Sequence, residues 1–246
     1  FALQWIAFIP AYVFQTEKFY DLMGSITYLS VMWFSLASTS EQFTALNGAN
    51  IAIVLLITLW ALRLGTFLFM RIHKDGEDKR FRSIKPSATQ FFMTWTLQGL
   101  WVSMCSMCAL TAISSETGVV INALFYIGLG LFIYGFCTEI IADNQKSKFR
   151  SVPENRDKFI TTGLWAKSRH PNFFGEIVLW AGVAVMSFSS LNGLQYLTLI
   201  SPVFTYLLLV YVSGVRMLEA RADKKWGQDE EYIKYKSETP VLMIKY

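Results

Sequence analysis

The chain has 246 residues, 53% hydrophobic and 16% charged, with a formal net charge of +4 and a mean hydropathy of +0.37. Soluble domains run near 45–50% apolar and about 25% charged, so the chain is poor in charge, and the grouping of its apolar residues decides the class. Three Cys and two His supply neither a disulfide framework nor a zinc spacing, so no metal is expected.

Taken in chain order, residues 1–14 are apolar but short and carry Pro10. With Phe1 at the start, they are expected to be a truncated first helix. No basic n-region or small-residue cleavage site marks a cleaved signal peptide. Stretches nearly free of charge follow at 22–40, 50–70, 90–112, 119–142, 172–190 and 195–215. Each is near the ~20 residues that cross a bilayer core as a helix. The expected fold is an all-α integral membrane protein, seven transmembrane helices in one bundle and one domain over 1–246. The tail 216–246 reads as a polar helix to about 226, a turn at Gly227, a short second helix and an apolar end that docks on protein or membrane. Cys105, Cys108 and the Gly128/Gly130 pair fall inside spans and are expected to serve packing.

Charge orders the loops. Of the 22 Lys and Arg, Lys18 lies in 14–21, six lie in 71–90, seven in 143–171 and seven in 216–246. The remaining one is Arg63. The connections 38–49, 113–118 and 191–194 have none. That alternation puts the basic loops on the cytoplasmic face, in a bacterium at the inner membrane. The net charge then reflects topology and anionic lipid. No basic stripe with interleaved aromatics stands apart from the helix ends, so nucleic acid is not an expected partner, nor is an obligate protein partner.

Ionisable residues within membrane helices are costly and usually functional. Arg63, Glu139, Asp143 and Glu176 lie in or at the ends of apolar spans, all toward the basic side. Glu139 and Asp143 are i and i+4 and share a helix face. The stretch SRHPNFFGE (168–176) begins a helix with Pro171 in its first turn, where the missing N–H costs nothing. The free N–H groups there, with Arg169 and the upstream DNQKSKFR (143–150, containing Asn144 and Arg150), suit phosphate. Further cations come from RIHKDGEDKRFR (71–82), beginning at Arg71. Asn172 and Glu176, also i and i+4, suit a carboxamide or ribose hydroxyls. His170 completes this cluster. No GxGxxG after a strand, P-loop or HExxH is present, so a dinucleotide would be held by helices and loops of the bundle.

GLWAKSRHPNFFGE (163–176), with DNQKSKFR upstream and ADKKWGQDEEYIKYKSETPVL (222–242), resembles the bacterial membrane family related to the C-terminal domain of steroid 5α-reductases. So do QTEKFYDLMGSITYL (15–29), LRLGTFLFMR (62–71) and GEDKRF (76–81), in order along nearly the whole chain. The resemblance implies a seven-helix bundle open to the cytoplasm, with NADPH reducing the conjugated C=C of a 3-oxo-Δ4-steroid. The family's Asn-Phe-x-Gly-Glu cofactor segment corresponds to Asn172–Glu176. Its Asn-x3-Asp pair corresponds to Glu139 and Asp143, and a following Arg to Arg150. Its Gln-Glu pair, which binds the steroid 3-oxo group, corresponds to Gln15 and Glu17, with Thr16 intervening. Its catalytic Tyr falls on Trp60, ahead of Arg63, which cannot supply that acid.

The expected mechanism has a protonated Glu17, assisted by Tyr20, hydrogen-bonding the carbonyl oxygen as charge grows there. Tyr28 is a second phenol near Glu17. A competing class is a membrane methyltransferase of the isoprenylcysteine or phospholipid type using S-adenosylmethionine. Such enzymes carry a similar RHP…E run and a downstream Glu, for which Glu219 is the candidate. A non-enzymatic lipid or sterol carrier is a third class. It would account for the aromatic content but would not require buried carboxylates.

Overall fold

The computed structural model describes residues 1–42 and 47–245. Its helices, in order, are α1 (Ala2–Val13), α2 (Tyr20–Gln42), α3 (Gly48–Asp75), α4 (Ala88–Ile113), α5 (Ala123–Ser151), α6 (Pro171–Ser187), α7 (Ile200–Leu207), α8 (Val215–Trp226) and α9 (Glu230–Glu238). No strand occurs among the described residues.

Among the described residues, five segments are long and apolar enough to cross a membrane: Gly48–Asp75, Ala88–Ile113, Ala123–Ser151, Pro171–Ser190 and Gly193–Trp226. This fits a multi-pass membrane protein. The count of seven is not confirmed. At 12 residues, α1 is only ~18 Å long against a ~30 Å hydrocarbon core. The 23 residues of α2 are long enough, but Asp21 and recurrent Ser and Thr dilute the apolar run. The last span is also not one regular helix. It runs through a 3-10 stretch, α7, a π turn over Leu208–Val212 and a break at Ser213 and Gly214 before α8.

The chain forms two compact units: 1–121 with 187–198, and 122–186 with 199–246. In the first, α2 packs on α3 and α4, and α1 on α4 and α2. Small residues allow this. A Cβ on Gly65 would overlap Ser25, and one on Gly24 would sit 2.8 Å from Gln98 Nε2. Asn47 caps α3 by accepting from Ala49 N–H at 2.8 Å. The Asn50 side chain accepts from Val119 N–H at 2.7 Å and donates to Ile113 O at 3.2 Å, tying the loop after α4, which has no Lys or Arg, to α3.

In the second unit, α5 and α6 cross with backbones in contact. A Cβ at Gly128 would be 2.5 Å from Gly182 O, and one at Gly175 would be 2.6 Å from Gly135 O and 2.8 Å from Glu139 N. Four glycines therefore set the approach of these helices. Gly130 does not share this role, since it faces open space. The basic DNQKSKFR stretch is helical, because α5 runs on to Ser151 beyond its apolar part. The tail forms α8, a turn at Gly227 and α9, as expected. Its apolar end returns to the start of α6.

Candidate functional site

Within the second unit the site is built where α6 begins. A 3-10 turn over Gly163–Ala166 precedes it. Gly163 takes a positive φ of 63°, and a Cβ there would overlap the Gln145 amide. Gln145 Oε1 accepts from Leu164 N–H at 2.9 Å, and Trp165 Nε1 donates to Ala142 O at 3.0 Å. Lys146 lies 4.3 Å over the Trp165 ring. The turn is thus fixed on the polar end of α5.

The C-terminal segment clasps the other side. Arg169 N–H donates to Pro240 O at 2.9 Å, His170 N–H to Val241 O at 3.1 Å, and Ser168 Oγ to Leu242 O at 2.9 Å. Tyr235 O–H donates to Trp165 O at 2.6 Å. Burial pushes the Tyr235 phenol up to about 12.

This scaffold brings together Arg169, His170 and Glu219. The Arg169 guanidinium is 2.6 Å from Glu219 Oε2, and His170 Nε2 is 2.8 Å from Glu219 Oε1. The π turn and the break at Gly214 set the register of α8 that delivers Glu219. A Cβ at Gly214 would press to 3.0 Å on the Phe173 ring, which stacks on His170 at 5.7 Å. Burial holds the His170 pKa below the ordinary value, against the upward pull of Glu219. A neutral ring with Nε2–H toward the carboxylate leaves Nδ1 as an acceptor. Among the described residues Nδ1 has no partner, and neither has Arg169 Nε.

The carboxylates expected inside the bundle are buried: Glu139, Asp143 and Glu176. The close crossing puts the Glu139 backbone against Gly175, next to Glu176. Asn172 is half-buried in the first turn of α6, while Asn144 and Arg150 are exposed on the last turns of α5. Arg63 and Arg71 belong to the first unit. Arg63 is half-buried with its guanidinium 5.1 Å over the Phe67 ring, and Arg71 is exposed.

Gln15, Glu17 and Tyr20 do not converge. Gln15 has φ 49°, is exposed, and bonds Tyr12 O at 2.7 Å. Glu17 is buried and accepts twice, from Lys85 Nζ at 2.5 Å and from Asp78 N–H at 2.9 Å. A carboxylate so engaged is an acceptor, which does not suit the protonated donor expected of it. Tyr20 is wedged between Phe81 and Trp95 and donates to Thr94 O at 2.9 Å. Sequence reasoning missed Lys85, whose charge vanished into a basic loop. It also missed Gln4 and Gln98, although an amide inside an apolar helix is itself a signal. No group of three or more His, Cys, Asp or Glu able to hold a metal occurs among the described residues.

The chain belongs to the family described as a protein of unknown function, DUF1295. The family model matches residues 7–239. A probable O-methyltransferase, ustE, from Ustilaginoidea virens is 30% identical over 116 residues, covering 41% of this chain and 41% of its own length. The chain thus spans about two fifths of that curated relative. No solved structure matches. In this DUF1295 protein the matched region contains Arg169, His170, Glu176 and Glu219.

Proposed function

We propose that this DUF1295 protein is an NADPH-dependent oxidoreductase that reduces the conjugated C=C of a 3-oxo-Δ4-steroid or similar lipid enone. The observation that carries this reading is the pairing of two chemistries at the start of α6. Buried Glu139, Asp143 and Glu176 offer acceptors for ribose hydroxyls. The segment 143–171, which runs from the end of α5 to the start of α6, carries seven Lys and Arg against three Asp and Glu. NADPH needs both, because it joins two riboses to three phosphates. S-adenosylmethionine has a ribose but no phosphate, so it would make no use of these cations beyond their role in topology. The resemblance of 163–176 to the reductases' cofactor segment points the same way.

The residues fit NADPH as follows. The first-turn N–H groups of α6 and Arg169 Nε would take phosphate oxygens. Asn172 and Glu176, one turn apart, would take hydroxyls or the carboxamide. His170 Nδ1 would accept from a ligand donor. Bound there, the cofactor supplies hydride. The proton donor is not assigned to Glu17, whose oxygens are held by Lys85 and Asp78.

A second reading, methyl transfer from S-adenosylmethionine, is favoured by the Arg169–His170–Glu219 contact and by the printed name of the fungal relative. One assay separates the two. The protein purified in detergent is mixed with NADPH or S-adenosylmethionine, with and without progesterone or testosterone. Absorbance at the nicotinamide band and product mass are followed. Steroid-dependent NADPH loss with a product two mass units heavier supports reduction. Thermal stabilisation by S-adenosylmethionine, with no NADPH turnover, replaces it with methyl transfer.

A further inference from the structure

The clasp of the tail on the start of α6 runs both ways. Pro240, Val241 and Leu242 offer carbonyls to Arg169 N–H, His170 N–H and Ser168 Oγ, and Lys245 N–H donates back to Lys167 O at 3.0 Å. The returning bond stands the backbone of Lys245 against that of Lys167. Both side chains are exposed, while Ser168, the next residue, is fully buried. Neither ammonium is in an ion pair among the described residues. Other cations of the second unit are engaged: Arg169 by Glu219, Lys225 by Asp157, Lys236 by Asp223, and Lys146 over the Trp165 ring.

Like charges on paired backbone segments repel each other, and an anion between them removes the cost. The clasp therefore assembles a small anion site at the rim of the α6 start from residues far apart in the chain. Its character differs from that of the interior. Arg169, with its side chain 10% exposed, is enclosed and already faces a carboxylate. Lysine is a compact, strongly hydrated point charge on a flexible stem, and two exposed lysines suit a phosphate that keeps contact with water.

We propose that Lys167 and Lys245 bind the 2′-phosphate of NADPH and so select NADPH over NADH. The assignment rests on the NADPH reading of the same site and adds two residues to it. The 2′-phosphate is a monoester that carries about −1.5 to −2 charges at pH 7. It branches from the adenosine ribose instead of linking the two nucleotides, so it belongs at the rim, while the bridging phosphates meet the first-turn N–H groups of α6. NADH has a hydroxyl in its place. In dinucleotide sites a carboxylate at that ribose selects the hydroxyl and a cation selects the phosphate. The pair here has two cations and no carboxylate partner among the described residues.

The test measures binding, without turnover. The full chain in detergent is titrated calorimetrically with NADPH, NADH and adenosine 2′,5′-bisphosphate. Wild type is expected to bind NADPH at least ~10-fold more tightly than NADH, with a preference that narrows as salt is raised, because the lysines are exposed. Combined Lys167→Ala and Lys245→Ala should weaken NADPH and the bisphosphate by about 10-fold, or about 1.4 kcal/mol. The Kd of NADH and the Tm should not change, since the clasp uses the backbone of Lys245. Combined Lys167→Arg and Lys245→Arg should keep the preference. Lys234→Ala, exposed on α9, controls for loss of positive charge alone and should change none of the three affinities. Equal binding of NADPH and NADH by wild type, or a preference kept in the double alanine variant, overturns the assignment and leaves the nicotinamide reading standing. An equal loss of NADH and NADPH affinity also overturns it and makes the lysines part of the clasp. Binding of none of the three removes the reading and this assignment with it.

Discussion

His170 is a buried imidazole whose neighbours disagree about its charge. Burial lowers its pKa and outweighs the pull of Glu219. The sign of the pH effect follows. The unfolded ring titrates near 6.5, while the folded one stays neutral to lower pH. The unfolded state therefore binds more protons in that window, and stability falls as pH drops from about 6.5 toward the folded pKa. His170→Gln is expected to flatten the dependence of Tm on pH in that interval, and imidazole NMR should show Nε2 protonated at pH 7. At the same cluster, Glu219→Gln leaves Arg169, whose side chain is 10% exposed, without its counter-charge. The expected loss is about 1–3 kcal/mol of stability, readable as a lower Tm in detergent. Glu17→Gln separates two roles. Breaking the Lys85 pair should lower Tm to a similar extent, while kcat of the proposed NADPH reaction changes little. A large fall in kcat at unchanged Tm would return Glu17 to the chemistry.

At the scale of elements, the α5–α6 crossing decides whether the polar ends meet. Gly135, Gly175, Gly128 and Gly182 leave no room for a Cβ. Gly175→Val is expected to force the helices apart, at a cost of about 1–3 kcal/mol or more from overpacking, and to weaken binding of the proposed cofactor because Glu139 and Glu176 separate. Gly130→Val, on the same helix but facing open space, is its control and should alter neither Tm nor binding. The tail acts as a second element of the site. Deleting 240–246 removes the carbonyls that accept from Arg169 N–H, His170 N–H and Ser168 Oγ. The expected result is a raised Kd for the cofactor with the far-UV helical signal retained. An unchanged Kd would mean that the clasp does not position the site.

For the whole molecule, the charge pattern predicts a topology. Single cysteines at exposed Lys79→Cys and Lys148→Cys should react with an impermeant maleimide only in inside-out vesicles. Glu116→Cys and Asn192→Cys should react only from the opposite face. Much of the fold could be read directly in the chain. Long apolar runs can do little but form helices when backbone groups must be satisfied internally, and α3 to α6 fall where those runs lie. The first two segments were harder. One is short and the other is diluted by Ser and Thr, so length and polarity disagree there. In the second unit the candidate site was legible as residue types, because Arg169, His170, Asn172 and Glu176 are neighbours on one helix start. The partnership of His170 with Glu219, 49 positions away, could be listed from the sequence only as a candidate.

Sequence by itself determined the class of the protein, the basic and neutral loops and the polar start of α6, because hydropathy and charge are local properties of the chain. Tertiary structure decided which polar groups are already spoken for. Lys85 engages Glu17, Thr94 engages Tyr20, and Glu219 engages Arg169 and His170, while Gln4 and Gln98 keep bare oxygens. A hydrogen bond depends on distance between groups far apart in the chain, and no pattern of neighbours encodes that distance.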